Sequence, residues 1–243
     1  MPRRTAGAGP IRRGGRPSHP RSMTPQLWVF AGPNGAGKST LARRYACGRI
    51  EVVSPDDIAR EIARGRGGDP SVAARAGRLA IERRQALRDA HQSFGIETTL
   101  AGCSERAFMA ETRDHGFKVN LVFVGIGSII QSRSRVAERV KRGGHPVPAA
   151  DLERRFARSM AHLPDAMRIA QLSLVFDNSG KRCRLILSRE NDHTKLVSRS
   201  LPHGARAAIP VALRQSPAEE TLDDAYGDAG SQSDPFDGGP PER

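Results

Sequence analysis

The feature that most constrains the fold of this chain is a glycine-rich loop between an apolar segment and an amphipathic one. The apolar segment is residues 27–30. The loop after it matches the phosphate-binding pattern G-x-x-x-x-G-K-[ST] with Gly32, Gly37, Lys38 and Ser39. Glycines let the backbone turn its N–H groups onto phosphate oxygens, and the helix that follows points its positive end at them. The pattern therefore predicts a strand, a phosphate-binding loop and a helix, in that order.

Each residue type in this loop has an expected part in binding a nucleotide. Lys38 is expected to reach the β- and γ-phosphates, and the Ser39 hydroxyl is expected to be a ligand of Mg²⁺. The predicted cofactors are ATP and Mg²⁺, and the alternative is a glycine-rich turn without a nucleotide. The residues predicted to hold the nucleotide are Gly32, Pro33, Asn34, Gly35, Ala36, Gly37, Lys38, Ser39 and Thr40.

Apolar segments alternate with amphipathic ones along the rest of the folded part. Strands that alternate with helices predict a P-loop α/β fold, in which a mainly parallel five-stranded sheet is flanked by helices. A further antiparallel edge strand is predicted at residues 184–187. The parallel strands after the first are predicted near residues 50–53, 94–98, 119–124 and 172–176.

The two ends of the chain differ in composition from its centre. Residues 1–23 contain six arginines and few apolar side chains, and residues 215–243 are acidic and rich in Gly, Pro and Ser. Such segments bury too little apolar surface to fold, so both are predicted to be disordered. The predicted organisation is a basic arm at residues 1–23, one folded domain at residues 24–200, and an irregular, then acidic, tail at residues 201–243.

Charge, cysteine spacing and apolar run length indicate which ligands and which location the protein is expected to have. The formal net charge of +13 suits any anionic ligand, but only 5% of residues are aromatic, so nucleic acid is the less favoured partner class. The three cysteines form no C-x-x-C pair. Because no apolar run approaches the roughly 20 residues that span a bilayer, we expect no membrane association and a cytoplasmic location.

Two acidic residues follow predicted strands, at the edge of the sheet where ligands gather. Asp56 comes after residues 50–53, a strand expected to lie beside the first one, and Asp56 is predicted to accept the proton of a substrate hydroxyl. The alternative for Asp56 is a helix N-cap, with Asp57 competing for either role. Glu97 ends a buried type of strand, where an unpaired carboxylate is unfavourable. With Thr98 it is predicted to bind substrate, or to assist the metal; the alternative is a structural partner for a buried arginine.

Basic residues cluster in a predicted helix at residues 132–142. Arg135, Arg139 and Arg142 have spacings of four and three, which place them on one helical face before a Gly-Gly-His-Pro segment. This pattern predicts a mobile lid that lays guanidinium groups on ATP phosphates and excludes water, and the alternative is a solvated arginine face. A second helix is predicted at residues 148–163. The default expectation for His145, His162 and Cys103 is a structural role.

The ordered series AGPNGAGKST, SPDDIA, FGIETTLAG, AERVKRGGHPVP and LVFDNSG resembles the zeta-toxin family of P-loop kinases, particularly its short chromosomal members, over residues 26–187. The resemblance implies a kinase domain that uses ATP and Mg²⁺ to phosphorylate the 3′-hydroxyl of a sugar nucleotide, UDP-N-acetylglucosamine. Members of that family are commonly neutralised by an antitoxin protein that blocks the nucleotide site, so the resemblance also implies an antitoxin partner.

The resemblance assigns roles residue by residue. Lys38 corresponds to the phosphate-binding lysine and Ser39 to the metal-ligating hydroxyl. Asp56 resembles the catalytic aspartate, and Glu97 resembles the glutamate that contacts substrate. The two arginines that contact ATP phosphates correspond to Arg139 and Arg142.

Other functions of a P-loop chain remain as alternatives. The motif GPNGAGKST is also typical of ABC-type ATPases. However, the sequence has no LSGGQ-like signature and no run of four apolar residues followed by Asp-Glu. The nearer alternatives are a kinase of another small molecule or of a polynucleotide 5′-hydroxyl. A non-kinase ATPase or a nucleic-acid-binding switch is more distant.

Overall fold

The computed structural model describes residues 24–46, 48–63, 70–144, 146–191 and 193–198, together with residue 209. Within these residues the chain forms an α/β fold, in which a seven-stranded sheet is flanked by helices. The strands are β1 (Gln26–Ala31), β2 (Glu51–Val53), β3 (Phe94–Thr98), β4 (Lys118–Gly125), β5 (Leu172–Asp177), β6 (Arg184–Glu190) and β7 (His193–Val197). The helices are α1 (Lys38–Ala46), α2 (Pro55–Ala63), α3 (Pro70–Asp89), α4 (Cys103–Asp114), α5 (Ile129–Lys141) and α6 (Ala149–Ile169).

Several predictions fall outside the described residues. The basic arm at residues 1–23 is one of them, and so is nearly all of the tail from residue 201 onward. His145 of the Gly-Gly-His-Pro segment is another. The predicted disorder of the two ends and the mobility of the lid therefore stay predictions.

The sheet has the strand order β2-β3-β1-β4-β5-β6-β7. All pairs from β2 to β5 are parallel, which confirms the mainly parallel five-stranded sheet. Two antiparallel strands extend it at the β5 edge. Of these, β6 was predicted and β7 was not, because β7 is a short edge strand whose sequence HTKLV lacks a clear alternation of apolar and polar residues.

The expected position of β2 beside β1 is wrong. In the structure β3 lies between them, and it pairs with β1 on one side and with β2 on the other. Strand order depends on how the connecting helices cross the sheet, and local sequence patterns do not record those crossings. Glu97 therefore lies near the end of the strand beside β1, and Asp56 follows a strand that is one position further away.

Helix α6 extends beyond its predicted end. The prediction stopped at residue 163, in front of Pro164, whereas the helix continues through this proline to Ile169. A proline inside a helix removes one main-chain hydrogen bond and crowds the preceding turn. Leu163, Ala166 and Met167 are nevertheless buried against the sheet, and this burial offsets the local loss.

Both faces of the sheet are covered, which explains the uninterrupted apolar sequence of β1. Leu27, Val29 and Ala31 belong to one hydrophobic cluster, and Trp28 and Phe30 belong to the cluster on the opposite face. A strand buried on both faces reads as a continuous apolar run. None of the helices among the described residues combines the length and apolar character needed to span a membrane.

Candidate active site

The loop between β1 and α1 has the backbone geometry that its glycines predict. Gly32, Gly35 and Gly37 have φ angles of 137°, 74° and 103°, a region that residues with a side chain rarely adopt. A Cβ atom at Gly32 would also lie 2.2 Å from the carbonyl oxygen of Val124 on β4. The first glycine is thus required by the close approach of two strands, and the later ones by the turn itself.

Two side chains outside the loop donate hydrogen bonds to its main-chain carbonyl oxygens. Ser132 of α5 donates its hydroxyl hydrogen to the carbonyl oxygen of Asn34 at 2.6 Å. Asn178, directly after β5, donates from Nδ2 to the carbonyl oxygen of Ala36 at 2.7 Å. Neither residue was predicted to belong to the site. Asn178 follows a strand at the ligand-binding edge, a position that could have identified it; Ser132 had no such signal.

Lys38 lies at the start of α1 with its ammonium group folded toward the loop. Its Nζ donates to the carbonyl oxygen of Pro33 at 2.9 Å. Burial lowers the pKa of Lys38 from its ordinary value to about 8. The carboxylates of Glu97 and Asp56 oppose that shift, and the positive charge of Arg139 adds to it. These four charged side chains therefore act on one another at the mouth of the loop.

Glu97 and Ser39 meet because β1 and β3 are adjacent. Glu97 lies opposite Phe30 in the parallel pairing, just before the loop begins. The Ser39 hydroxyl donates to Glu97 Oε2 at 2.7 Å. Burial raises the pKa of Glu97, while the hydrogen bond from Ser39 and the charge of Lys38 partly counteract the rise. The pair places a hydroxyl group and a carboxylate next to the expected position of the phosphates.

Asp56 lies in the first turn of α2 and is 69% exposed. The N-cap position belongs to Ser54, whose hydroxyl and carbonyl oxygens both accept from the Asp57 N–H. Asp56 instead faces Arg139 of α5, with 3.8 Å between its Oδ2 and the arginine Nη1. Asp57, the competing candidate, pairs with Arg60 within the same helix. The structure thus brings Asp56, and not its neighbour, to a predicted arginine.

The three arginines of α5 have different surroundings. The Cβ of Arg135 would be 3.2 Å from a Cβ at Gly35, so this part of the helix packs on the loop. Arg139 reaches Asp56 as described above. Arg142 is 82% exposed and has Glu138 as an ion-pair partner at 3.9 Å. The structure therefore brings Arg139 into the charged cluster and leaves Arg142 at the solvent-facing end of the helix.

Thr98, the other residue predicted to bind substrate, already has a hydrogen bond inside the chain. Its hydroxyl oxygen accepts from the main-chain N–H of Leu100 at 2.9 Å. The bond closes a tight turn directly after β3. The sequence alone suggests no such use of the hydroxyl.

Comparison with known families agrees with this geometry. A sequence model of the AAA domain family (AAA_33) matches residues 27–161, which is more than half of the chain, and the chain belongs to this family. The match begins in β1 and ends within α6, so it includes the loop and every element that contributes a residue to the charged cluster. Fold, loop and family together define a nucleotide-binding P-loop protein of the kinase-like class.

Individual relatives add to this classification. An uncharacterized protein of Haemophilus influenzae is 35% identical over 129 residues, which cover 49% of this chain and 89% of that protein. The crystal structure of AvrRxo1-ORF1:-ORF2 with ATP has a TM-score of 0.59 at 16% identity, and the match covers 72% of this chain and 61% of that chain. A structure from the PezAT chromosomal toxin-antitoxin system of Streptococcus pneumoniae has a TM-score of 0.50 at 15% identity, covering 69% of this chain and 73% of that chain. At such identities these two structures support the fold alone.

Nucleotide affinity is expected to fall as the pH rises through about 8, the pKa of Lys38. Above this pH the amine of the free protein is neutral, so binding a triphosphate requires uptake of a proton. The dissociation constant should then rise by up to about tenfold per pH unit. An equilibrium titration with a fluorescent ATP analogue measures the slope. Lys38→Arg stays charged in this pH range and should remove the pH dependence of the dissociation constant. An equal slope in that variant would show that Lys38 is not the titrating group.

Glu97→Gln is expected to raise the melting temperature at neutral pH. Because the pKa of Glu97 is higher in the folded protein, its ionised form opposes folding at neutral pH, and this penalty disappears as the pH falls below the ordinary value of 4.5. Each kcal/mol of relief should raise the melting temperature by about 2–4 °C. Thermal unfolding at neutral and acidic pH measures the difference.

Glu190→Gln provides a control of opposite sign. A hydrogen bond and charge from Lys195, aided by Lys118, lower the pKa of Glu190, so its ionised form favours folding. This variant should therefore melt at a lower temperature at neutral pH. If both variants shifted in the same direction, the argument from burial at Glu97 would be wrong.

Proposed function

We propose that the protein is an ATP-dependent kinase of the zeta-toxin type, which transfers the γ-phosphoryl group of ATP to a hydroxyl of a sugar nucleotide such as UDP-N-acetylglucosamine. The observation that carries the proposal is the convergence of Lys38, Ser39, Glu97, Asp56 and Arg139 at the mouth of one phosphate-binding loop. Phosphoryl transfer needs a phosphate cradle, a metal site, a carboxylate near the acceptor and a cation near the developing charge. This cluster contains a candidate for each.

The loop and Lys38 bind the β- and γ-phosphates in this proposal. Main-chain N–H groups of the loop are proposed to face the anion, and the N-terminus of α1 adds its partial positive charge. Ser132 and Asn178 draw two loop carbonyl groups away from the ligand by hydrogen bonding to them. The cradle is thereby held open before the nucleotide arrives.

The Ser39–Glu97 pair suits Mg²⁺. Ser39 gives its hydrogen to Glu97, which leaves the oxygen lone pairs free for a cation and orients them. The described residues contain no group of three or more His, Cys, Asp or Glu side chains that could hold a metal ion, so Ser39 and Glu97 are the residues that would hold Mg²⁺ in this proposal. If Mg²⁺ were bound there, it would neutralise the charge that develops on the phosphates. Glu97 thus acts on the metal side in this proposal, although the family resemblance assigns it to substrate.

Asp56 is the proposed general base. It takes the proton from the acceptor hydroxyl while the new oxygen–phosphorus bond forms, and the bond between the γ-phosphorus and the bridging oxygen breaks to release ADP. Arg139, 3.8 Å from Asp56, is close enough to the same region to contact the transferring group. Arg142 is proposed to contact the phosphates only after the end of α5 moves inward, since it is largely exposed in the present conformation.

The acceptor and the partner are also proposals. The sugar nucleotide comes from the zeta-toxin resemblance, to which the kinase-like fold and the fold shared with the PezAT structure give general support. We further propose a cytoplasmic protein with one kinase domain at residues 24–200. An antitoxin that covers the nucleotide site is the proposed partner, because two of the similar structures come from complexes or from a toxin-antitoxin system.

Incubation of the purified protein with ATP, Mg²⁺ and a panel of UDP-sugars tests the function directly. We expect one UDP-sugar to gain a single phosphate, measured by mass spectrometry, together with stoichiometric ADP. Lys38→Ala should abolish the product, because the phosphates lose their one loop ammonium group. A wild-type protein that formed ADP without a phosphorylated sugar nucleotide would be an ATPase, and the kinase proposal for this acceptor would fail.

Asp56→Asn tests the assignment of the base. The amide keeps the size of the side chain but cannot take a proton, so kcat is expected to fall by about 10²–10⁴-fold while nucleotide affinity stays near the wild-type value. Steady-state kinetics and nucleotide titration measure the two quantities. The neighbouring Asp57→Asn is the matched control and should retain activity. Near-full turnover in Asp56→Asn would show that another group accepts the proton.

A further inference from the structure

The turn after β3 contains a conformation that its sequence does not favour. Leu100 has a φ angle of +58°, in the left-handed region, although it is not a glycine and its side chain is fully buried. A residue with a Cβ is strained there, and such strain persists only where the surroundings hold it. Leu100 lies three residues after Glu97, whose carboxylate accepts a hydrogen bond from the Ser39 hydroxyl.

Hydrogen bonds on both sides of Leu100 hold this conformation. The Leu100 N–H donates to the Thr98 hydroxyl oxygen at 2.9 Å. The Leu100 carbonyl oxygen accepts from His162 Nδ1, also at 2.9 Å. A carbonyl oxygen can only accept, so Nδ1 of this imidazole carries a hydrogen. The Leu100 side chain packs in the same hydrophobic cluster as Leu163, the residue after this histidine.

His162 belongs to α6, a helix that forms ion pairs with two other helices. Asp165, one turn later, forms an ion pair with Arg106 of α4 at 3.5 Å. At the other end of α6, Glu153 is paired with Arg133 of α5, the helix that carries Arg139. His162 therefore joins the end of β3 to a helix that also contacts the arginine-bearing helix.

We propose that His162 is a positioning residue of the active site: its hydrogen bond to the Leu100 carbonyl keeps the turn after β3 in the conformation that presents Glu97 to Ser39. The proposal rests on the function proposed above for that pair. It replaces the default structural role that the sequence suggested for His162. Without the bond, Leu100 can relax toward right-handed φ values, and the chain leaving β3 then changes direction close to Glu97. A carboxylate that supports a metal ligand tolerates little displacement.

Two substitutions of His162 and one control separate positioning from simple stability. His162→Leu removes the donor, whereas His162→Asn places an amide N–H near the position of Nδ1. His115→Leu is the matched control, because His115 Nδ1 also donates to a main-chain carbonyl, that of Glu111, but at the exposed end of α4. All variants are compared by their melting temperatures, so that any loss of overall stability is known.

Three readouts report on the site. Hydrogen exchange of the peptide covering residues 98–103 follows the turn in the free protein. The ratio of affinities for a fluorescent ATP analogue with and without Mg²⁺ follows the metal side. Phosphate transfer to UDP-N-acetylglucosamine follows turnover, with KM and kcat separated.

In His162→Leu we expect faster exchange of this peptide, about a 10–100-fold smaller enhancement of affinity by Mg²⁺, and a matching loss in kcat, while affinity without Mg²⁺ is retained. His162→Asn should return all three readouts toward their wild-type values, and His115→Leu should change none of them.

The proposal is overturned if His162→Leu lowers only the melting temperature, if His162→Asn is no better than His162→Leu, or if Mg²⁺ does not enhance wild-type affinity. If wild type transfers no phosphate to the sugar nucleotide, the proposed function fails, and exchange and Mg²⁺ enhancement still decide the role of His162.

Discussion

The parallel pairing of β1 with β3 is the constraint on which the site depends. It sets Phe30 opposite Glu97 and Ala31 opposite Thr98, so an acidic side chain arrives where the phosphate-binding loop begins. The Ser39–Glu97 hydrogen bond follows from that register. Side chains of β1 belong to both hydrophobic clusters, and a shift of β1 by one residue would exchange them between the clusters. The position of one polar carboxylate is thus maintained by apolar packing across the whole sheet.

Burial gives the charged groups of this site their chemical properties. It lowers the pKa of Lys38 and raises that of Glu97, so each is less stable in its charged form than it would be in water. The same partial exclusion of water strengthens the attraction between these groups and an incoming anion or cation. A site with these properties is less stable when empty of ligands than a neutral equivalent would be, and it gains more from binding. Stability and activity commonly oppose each other in this way.

Three side chains stabilise the site through the main chain. Ser132, Asn178 and His162 each donate to a carbonyl oxygen of a loop, and the acceptors belong to Asn34, Ala36 and Leu100. The donors come from α5, from the end of β5 and from α6, far from the loops in sequence. Each fixes a backbone direction and contacts no expected reacting group. Sequence motifs cannot identify such residues, because every residue has a main-chain carbonyl group and its use as an acceptor does not depend on the residue type.

The sequence alone determined the phosphate-binding loop, the five parallel strands and the acidic residues at strand ends, because glycine geometry and apolar periodicity are local properties. Tertiary structure decided the strand order, and with it the fact that the strand beside β1 carries Glu97, whereas Asp56 follows a strand that does not pair with β1. Tertiary packing also selected Arg139 over Arg142 as the arginine beside Asp56, although both share one helical face in sequence. Because α6 is buried against the sheet, it continues past Pro164, and His162 lies within hydrogen-bonding distance of the Leu100 carbonyl oxygen. Each of these outcomes depends on contacts between segments distant in the chain, which local patterns do not encode.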